Sequence, residues 1–247
     1  MTLRGRKMVI TGAGRGLGEA LAIVAADRGV EPILLARSAV NLDKVATAIE
    51  GRTGRRPYAV VCDLADYGSI AEAADRIVQA HPDIDVLVNS GAKWTGGAYE
   101  DQSDAAIESV VASGVTGTLA LTRRLLPMLL ARPFADIHTV VSMSGLQYAR
   151  KRGSSVPFRA AKAAQDGFVH ALTEEMIGTN VRVTSIYPGH IEDTSPLEPK
   201  SWNAERGIDA ALSDRQVVES ILFILDMPAG TTIRSLVIER TRTEFLS

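Results

Sequence analysis

The chain has 247 residues, 46% hydrophobic and 23% charged, with a formal net charge of −2. That length and balance fit one globular α/β domain with a large core, and they exclude a bulk electrostatic pull toward nucleic acid or a membrane surface. Cys62 is the only cysteine, which rules out an intrachain disulfide and fits a reducing compartment.

Short apolar runs rich in β-branched residues alternate with helical patterns. Residues 7–11 read as a strand and 16–28 as a helix with Leu17, Ala20, Leu21 and Val24 on one face. A strand over 32–36 and a helix over 40–50 follow. The next strand, 58–62, ends on Cys62, which reads as a buried structural thiol. A helix over 69–80 leads to a strand over 84–88. A long helix covers much of 104–130, and a strand over 137–142 follows it. Another helix lies within 156–178, then a strand over 181–186, a helix over 214–226 and a last strand over 233–238. Continuous apolar strands separated by helices predict a parallel sheet covered on both faces, and right-handed crossovers make it doubly wound. No linker or repeat divides the chain. The one long irregular stretch, 188–210, is expected to act as a lid around 190–210. No apolar run approaches the roughly 20 residues of a membrane span. No apolar signal segment is seen before the first strand, so the cytoplasm is the expected location.

Thr11-Gly12-Ala13-Gly14-Arg15-Gly16-Leu17-Gly18 joins the first strand to the first helix. Glycines let the backbone approach a pyrophosphate, and the helix N-terminus offers free N–H groups and the positive end of its dipole. The spacing is T-G-x-x-x-G-x-G, without the Lys-Ser/Thr ending of a nucleoside-triphosphate loop. At the end of the second strand, where an acidic residue would bind ribose hydroxyls and select NAD, the chain has Ala36-Arg37-Ser38. Arg37 suits a bidentate grip on a 2′-phosphate, with Arg15 close to the same phosphate, and this predicts NADP(H).

The glycine turn, together with Phe158-Arg159-Ala160-Ala161-Lys162 placed sixteen residues after Ser142, resembles the short-chain dehydrogenase/reductase family. The resemblance runs from Lys7 to about Val237. It implies a single Rossmann-type domain over 1–247 with a mainly parallel seven-stranded sheet. It implies cofactor contacts from Gly12, Arg15, Gly16, Leu17, Gly18, Arg37, Asp63, Leu64, Asn89, Ser90, Gly91, Lys162, Pro188, Gly189 and Ile191, with no metal. In the family a serine at the end of the fifth strand hydrogen-bonds the substrate carbonyl; this is Ser142, with Ser144 the alternative. The Ser142 assignment puts a few extra residues in a basic loop tip at 149–153. Lysine of a Tyr-x-x-x-Lys pair holds the nicotinamide ribose and lowers the tyrosine's pKa; here Lys162 is present and Phe158 replaces the tyrosine. The family's Asn three residues before Gly117 is Gly114. The family's Thr five residues after Pro188 is Asp193, with Thr194 next.

The resemblance thus implies NADP(H)-dependent reduction of a ketone or aldehyde, or oxidation of the alcohol, by a homo-oligomer (dimer or tetramer). Phe158 keeps a ring's shape but carries no proton, so the family's Tyr–Lys relay is absent. Tyr148, His190, water or the substrate itself would then supply the proton; a histidine side chain suits acid catalysis near neutral pH. Two other readings of Phe158 stay open: a Tyr-to-Phe replacement that traps a complex, and a noncatalytic NADP(H)-binding homologue serving as sensor or partner subunit. A non-redox reaction on the same scaffold is a further alternative.

Overall fold

The structure is a computed structural model that describes residues 3–148 and 154–242. Seven strands form one parallel sheet in the order β3-β2-β1-β4-β5-β6-β9. They are β1 (Lys7–Thr11), β2 (Glu31–Ala36), β3 (Tyr58–Val61), β4 (Val86–Asn89), β5 (Ala135–Val140), β6 (Val181–Pro188) and β9 (Ser235–Ile238). The helices are α1 (Gly16–Asp27), α2 (Ala39–Thr53), α3 (Tyr67–Ala80), α4 (Asp104–Val111), α5 (Gly117–Leu130), α6 (Val156–Glu175), the short α7 (Pro199–Trp202) and α8 (Asp214–Leu225).

Alternation along each strand sorts side chains between two cores, because neighbouring residues point to opposite faces. Val9, Ile33, Leu87 and Ile137 pack with Ile70 and Ile77 of α3, Leu121 and Leu125 of α5 and Val169 and Leu172 of α6. Their neighbours Met8, Ile10, Leu34, Val86 and Val88 pack with Leu21 of α1, Val45 and Ile49 of α2 and Ile221 of α8. The central strands β1 and β4 are therefore apolar over Met8–Ile10 and Val86–Val88, as a sheet covered on both faces requires. The strand order reverses between β1 and β4, which leaves a crevice at their carboxyl ends.

Below the opposite end of the sheet, the fully buried Asp136 accepts from Arg6 Nη1 and Arg182 Nε, each at 2.6 Å. Arg182 also donates to the Leu225 and Thr231 carbonyls. This cluster ties β5, β6, the N-terminal arm and the end of α8 together.

The expected long helix is interrupted. Between α4 and α5 lies a π-helical segment, Ala112–Thr116, with Gly114 at its centre. Ser113, Thr116 and Thr118 hydroxyls donate to carbonyls four residues back. Such back-bonding and a central glycine both weaken regular α-helix. The segment Asp104–Leu130 spans 27 residues and is apolar enough by length and composition to cross a membrane. This corrects the expectation that no stretch comes near that length. Its Leu121, Leu125 and Leu129 are spent on the protein core.

The expected irregular stretch is also more ordered than its composition suggests. β6 continues through Pro188, and β7 (Ile191–Glu192) pairs in parallel with β8 (Leu212–Ser213). Arg206 joins Glu192 and the Ala211 carbonyl, while Trp202 packs against the core. Elements of two to four residues fall below any periodicity window, which is why the pattern missed them.

Candidate active site

The crevice is a cleft of about 410 Å³ lined by the glycine turn, the ends of β2 and β3, the turn after β4 and Ser113. Backbones meet closely at its floor. A Cβ on Gly12 would come within 2.9 Å of Gly91 Cα, and one on Gly91 within 2.9 Å of Leu64 Cδ1. Gly12 and Gly16 have φ of 72° and 55°, where glycine carries no steric penalty. Thr11 Oγ1 accepts from the Ser90 and Gly91 N–H groups at 3.0 and 2.8 Å, locking the β4 turn against the β1 turn.

The start of α1 differs from those of α2, α3, α4, α6 and α8. Ser38, Asp66, Ser103, Ser155 and Ser213 cap α2, α3, α4, α6 and α8 with a side-chain oxygen. α1 begins on Arg15, which offers none. Its first N–H groups are thus left for an outside acceptor in the cleft. Arg15 and Arg37 line the same cleft. Neither has an ion pair among the described residues, whereas Arg52, Arg55 and Arg56 nearby all do. No carboxylate lies between Leu35 and Asn41 at the β2 end. Asp63 Oδ1 accepts from the Ala65 N–H at 2.9 Å, shaping the turn after β3. Uncapped donors, glycine contacts that a Cβ would fill and two unpaired guanidinium groups together fit a phosphorylated dinucleotide.

At the carboxyl end of the sheet, outside the cleft lining, Ser142 lies two residues beyond the end of β5. Its Oγ accepts from the Ser144 N–H at 3.1 Å and donates to the Pro188 carbonyl at 3.5 Å. Ser144 is buried, and its hydroxyl pairs with Ser154 at 3.2 Å. Lys162, 6% exposed, reaches from α6 under β5 and donates to the Val140 carbonyl at 2.9 Å and to Gln165 Oε1 at 2.8 Å. Burial away from water pushes its pKa down from 10.5 to about 7. The Lys162 ammonium lies 5.7 Å from the centre of the Phe158 ring, one helical turn earlier. α6 packs onto the 3₁₀ turn Met143–Gly145 so tightly that a Cβ on Gly145 would stand 2.5 Å from the Lys162 carbonyl.

Residues 6–205 match the short chain dehydrogenase family. The chain belongs to that family. An uncharacterized oxidoreductase of Staphylococcus saprophyticus is 27% identical over 236 residues, covering 96% of this chain and 97% of that one. Mouse dehydrogenase/reductase SDR family member 7B is 33% identical over 196 residues, 76% of this chain and 58% of its own length. Among solved structures, L-sorbose reductase from Gluconobacter frateurii, complexed with NADPH and L-sorbose, superposes with a TM-score of 0.84 at 23% identity, covering 98% of this chain and 99% of that one. An alcohol dehydrogenase from Thermococcus sibiricus, complexed with 5-hydroxy-NADP, gives 0.83 at 22% identity, covering 98% of this chain and all of that one.

Within this short chain dehydrogenase, Gly12, Arg15, Leu17, Gly18, Arg37, Asp63, Leu64, Ser90 and Gly91 line the cleft. Gly16 opens α1 beneath it. Asn89 points elsewhere: its Nδ2 donates to Thr122 of α5 at 3.2 Å, and its buried Oδ1 has no partner among the described residues. Pro188, Gly189 and Ile191 lie beyond the cleft lining, at the exit of β6, where Gly189 packs against Met143 and Glu239. Thr194 is buried with its N–H on Asp214 Oδ2 at 2.8 Å. Tyr148 and His190 are both exposed. Cys62 is buried as expected, with its thiol pKa pushed up to about 12 by burial. The 149–153 tip lies outside the described residues.

Motif reading missed three features. Lys93 lines the cleft and donates to Ser109 Oγ at 3.0 Å. The Asp193 carboxylate sits 3.6–4.0 Å from where Gly16 would carry a Cβ, close to the uncapped α1 N-terminus. Gln165 is sequestered beside Lys162. Only Gln165 left a usable trace in the sequence, as its i+3 spacing from Lys162 puts the two on one helix face.

Proposed function

We propose that this chain is an NADP(H)-dependent oxidoreductase that reduces a ketone or aldehyde, or oxidises the corresponding alcohol. The observation that carries this reading is that an uncapped helix N-terminus, Ser142 just beyond β5 and Lys162 on the Val140 carbonyl all lie at the carboxyl end of one parallel sheet. NADP(H) supplies the hydride when bound. The Gly12–Gly18 turn and the α1 N-terminus would hold its pyrophosphate, Arg15 and Arg37 its 2′-phosphate, and Asp63, Leu64 and the Asn89–Gly91 turn its adenosine half. Lys162 would hold the nicotinamide ribose, and the Pro188–Ile191 exit of β6 would flank the nicotinamide. Ser142 Oγ would donate to the substrate carbonyl oxygen.

Phe158 stands where the family's proton donor stands and has no proton to give, so proton transfer is impaired or runs through another group. General acid–base help is typically worth about 10²–10⁴ in rate. The test pairs two measurements. NADPH should bind more tightly than NADH, and Arg37→Asp should remove that preference. Against a panel of ketones and aldehydes, Phe158→Tyr should raise kcat by about a hundredfold or more. Preferential NADH binding would refute the cofactor assignment. Failure of both variants and wild type to oxidise NADPH with any carbonyl would favour the noncatalytic, NADP(H)-binding alternative.

The reading extends to a cytoplasmic homo-oligomer, dimer or tetramer. Half-exposed Val111 and Leu119 on α4–α5 and Val156 on α6 support packing through those helices. Sedimentation of the purified chain as a monomer would refute it.

A further inference from the structure

We propose that Gln165 is a positioning residue, whose side-chain amide bridges Lys162 to the Gly114 carbonyl and so sets both the place and the charge of the lysine. The bridge has two short bonds. Gln165 Oε1 accepts from Lys162 Nζ at 2.8 Å, and Nε2 donates to the Gly114 carbonyl at 2.7 Å. The amide's orientation follows from its neighbours: an ammonium can only donate and a carbonyl can only accept. Gln165 is 1% exposed, so no water competes for either bond. Thr118 Oγ1 donates to the same Gly114 carbonyl at 3.1 Å and lies 3.5 Å from Nε2, which closes the network on the α5 side.

Position 114 is where the family's asparagine is missing, yet its backbone oxygen is still used. The π-helical segment brings that oxygen to α6, and Gln165 covers the remaining distance to Lys162. The lysine has no ion pair among the described residues. Its acceptors are two neutral oxygens, Val140 O and Gln165 Oε1, so its charged form depends on those bonds. They use two of the three ammonium protons and leave one for a ligand.

The closing experiment follows the Lys162 side chain directly, by NMR titration of the full chain labelled at the lysine Cε, with circular dichroism as the folding control. Gln165→Met keeps length and removes the acceptor. It should lower the Lys162 midpoint by about one pH unit, the worth of one hydrogen bond to a charged group. Gln165→Glu puts a carboxylate beside the ammonium and should raise the midpoint by at least as much. Opposite shifts are not expected of a residue that only fills space. A folded Met variant that titrates like wild type would overturn the proposal. Should that variant not fold, a Glu variant with a midpoint at or below wild type would overturn it. A second arm rests on the NADP(H) reading: Gln165→Met should weaken NADPH binding about tenfold at pH 7.5, as expected when one such bond is lost. Wild type that binds no NADPH would sink that reading while leaving the lysine titration to decide on Gln165.

Discussion

Lys162 gives the sharpest quantitative prediction. Its pKa falls from 10.5 to about 7 on folding, caused by burial. Between those two values the unfolded chain binds more protons than the folded one, so wild-type stability rises with pH across that window. Each unit contributes about 1.4 kcal/mol, which over the whole interval sums to about 5 kcal/mol. The perturbation is Lys162→Met. It removes the titrating group and leaves the Val140 and Gln165 oxygens unpaired, but that loss is the same at every pH. Groups shared by both chains cancel in the difference. The assay is urea unfolding of both chains from pH 6.5 to 10.5. The wild-type stability minus that of the variant should climb throughout the upper part of this range and flatten below about pH 7. A difference that stays flat, or that climbs toward acid pH, would refute the claim that the buried lysine is held against its own desolvation.

Asp136→Ala would leave the Arg6 and Arg182 charges without their shared carboxylate, and urea melts should show a loss of about 3–5 kcal/mol. Gly18→Ala would press a methyl to 2.3 Å from the Gly12 carbonyl, so calorimetry should show a loss of about 1–3 kcal/mol and titration should show NADPH binding abolished. Asp193→Asn would remove a negative charge beside the α1 N-terminus, where a phosphate is proposed to sit. Like charges about 5 Å apart in water cost about 0.8 kcal/mol, so calorimetric titration should show NADPH binding about fourfold tighter. Unchanged or weaker binding would mean that Asp193 swings clear or takes part in the site.

Sheet and helices were legible because both faces of the sheet are buried. Strands such as Met8–Ile10 and Val86–Val88 had to be apolar at every position, and the helices between them carried one apolar face. The glycine turn after β1 was legible for a different reason. Gly12 and Gly18 each stand where backbone crowds backbone, and only glycine fits. The π-helical segment was not legible, since Ala112–Thr116 carries no pattern distinct from the helix on either side. Neither was the short pairing of Ile191–Glu192 with Leu212–Ser213, whose partners lie some twenty residues apart.

Sequence alone determined what local chemistry dictates: a doubly wound parallel sheet, a glycine-rich turn between its first strand and first helix, and no carboxylate at the end of the second strand. Tertiary structure decided the rest, because it depends on groups that meet only after the crossovers close. Asp193 approaches the start of α1 from 177 residues away along the chain. Gln165 reaches Gly114 across 51 residues. Lys162 loses most of its solvation only when α6 packs against β5. A motif records which side chain is present, and the packing around it sets that side chain's charge.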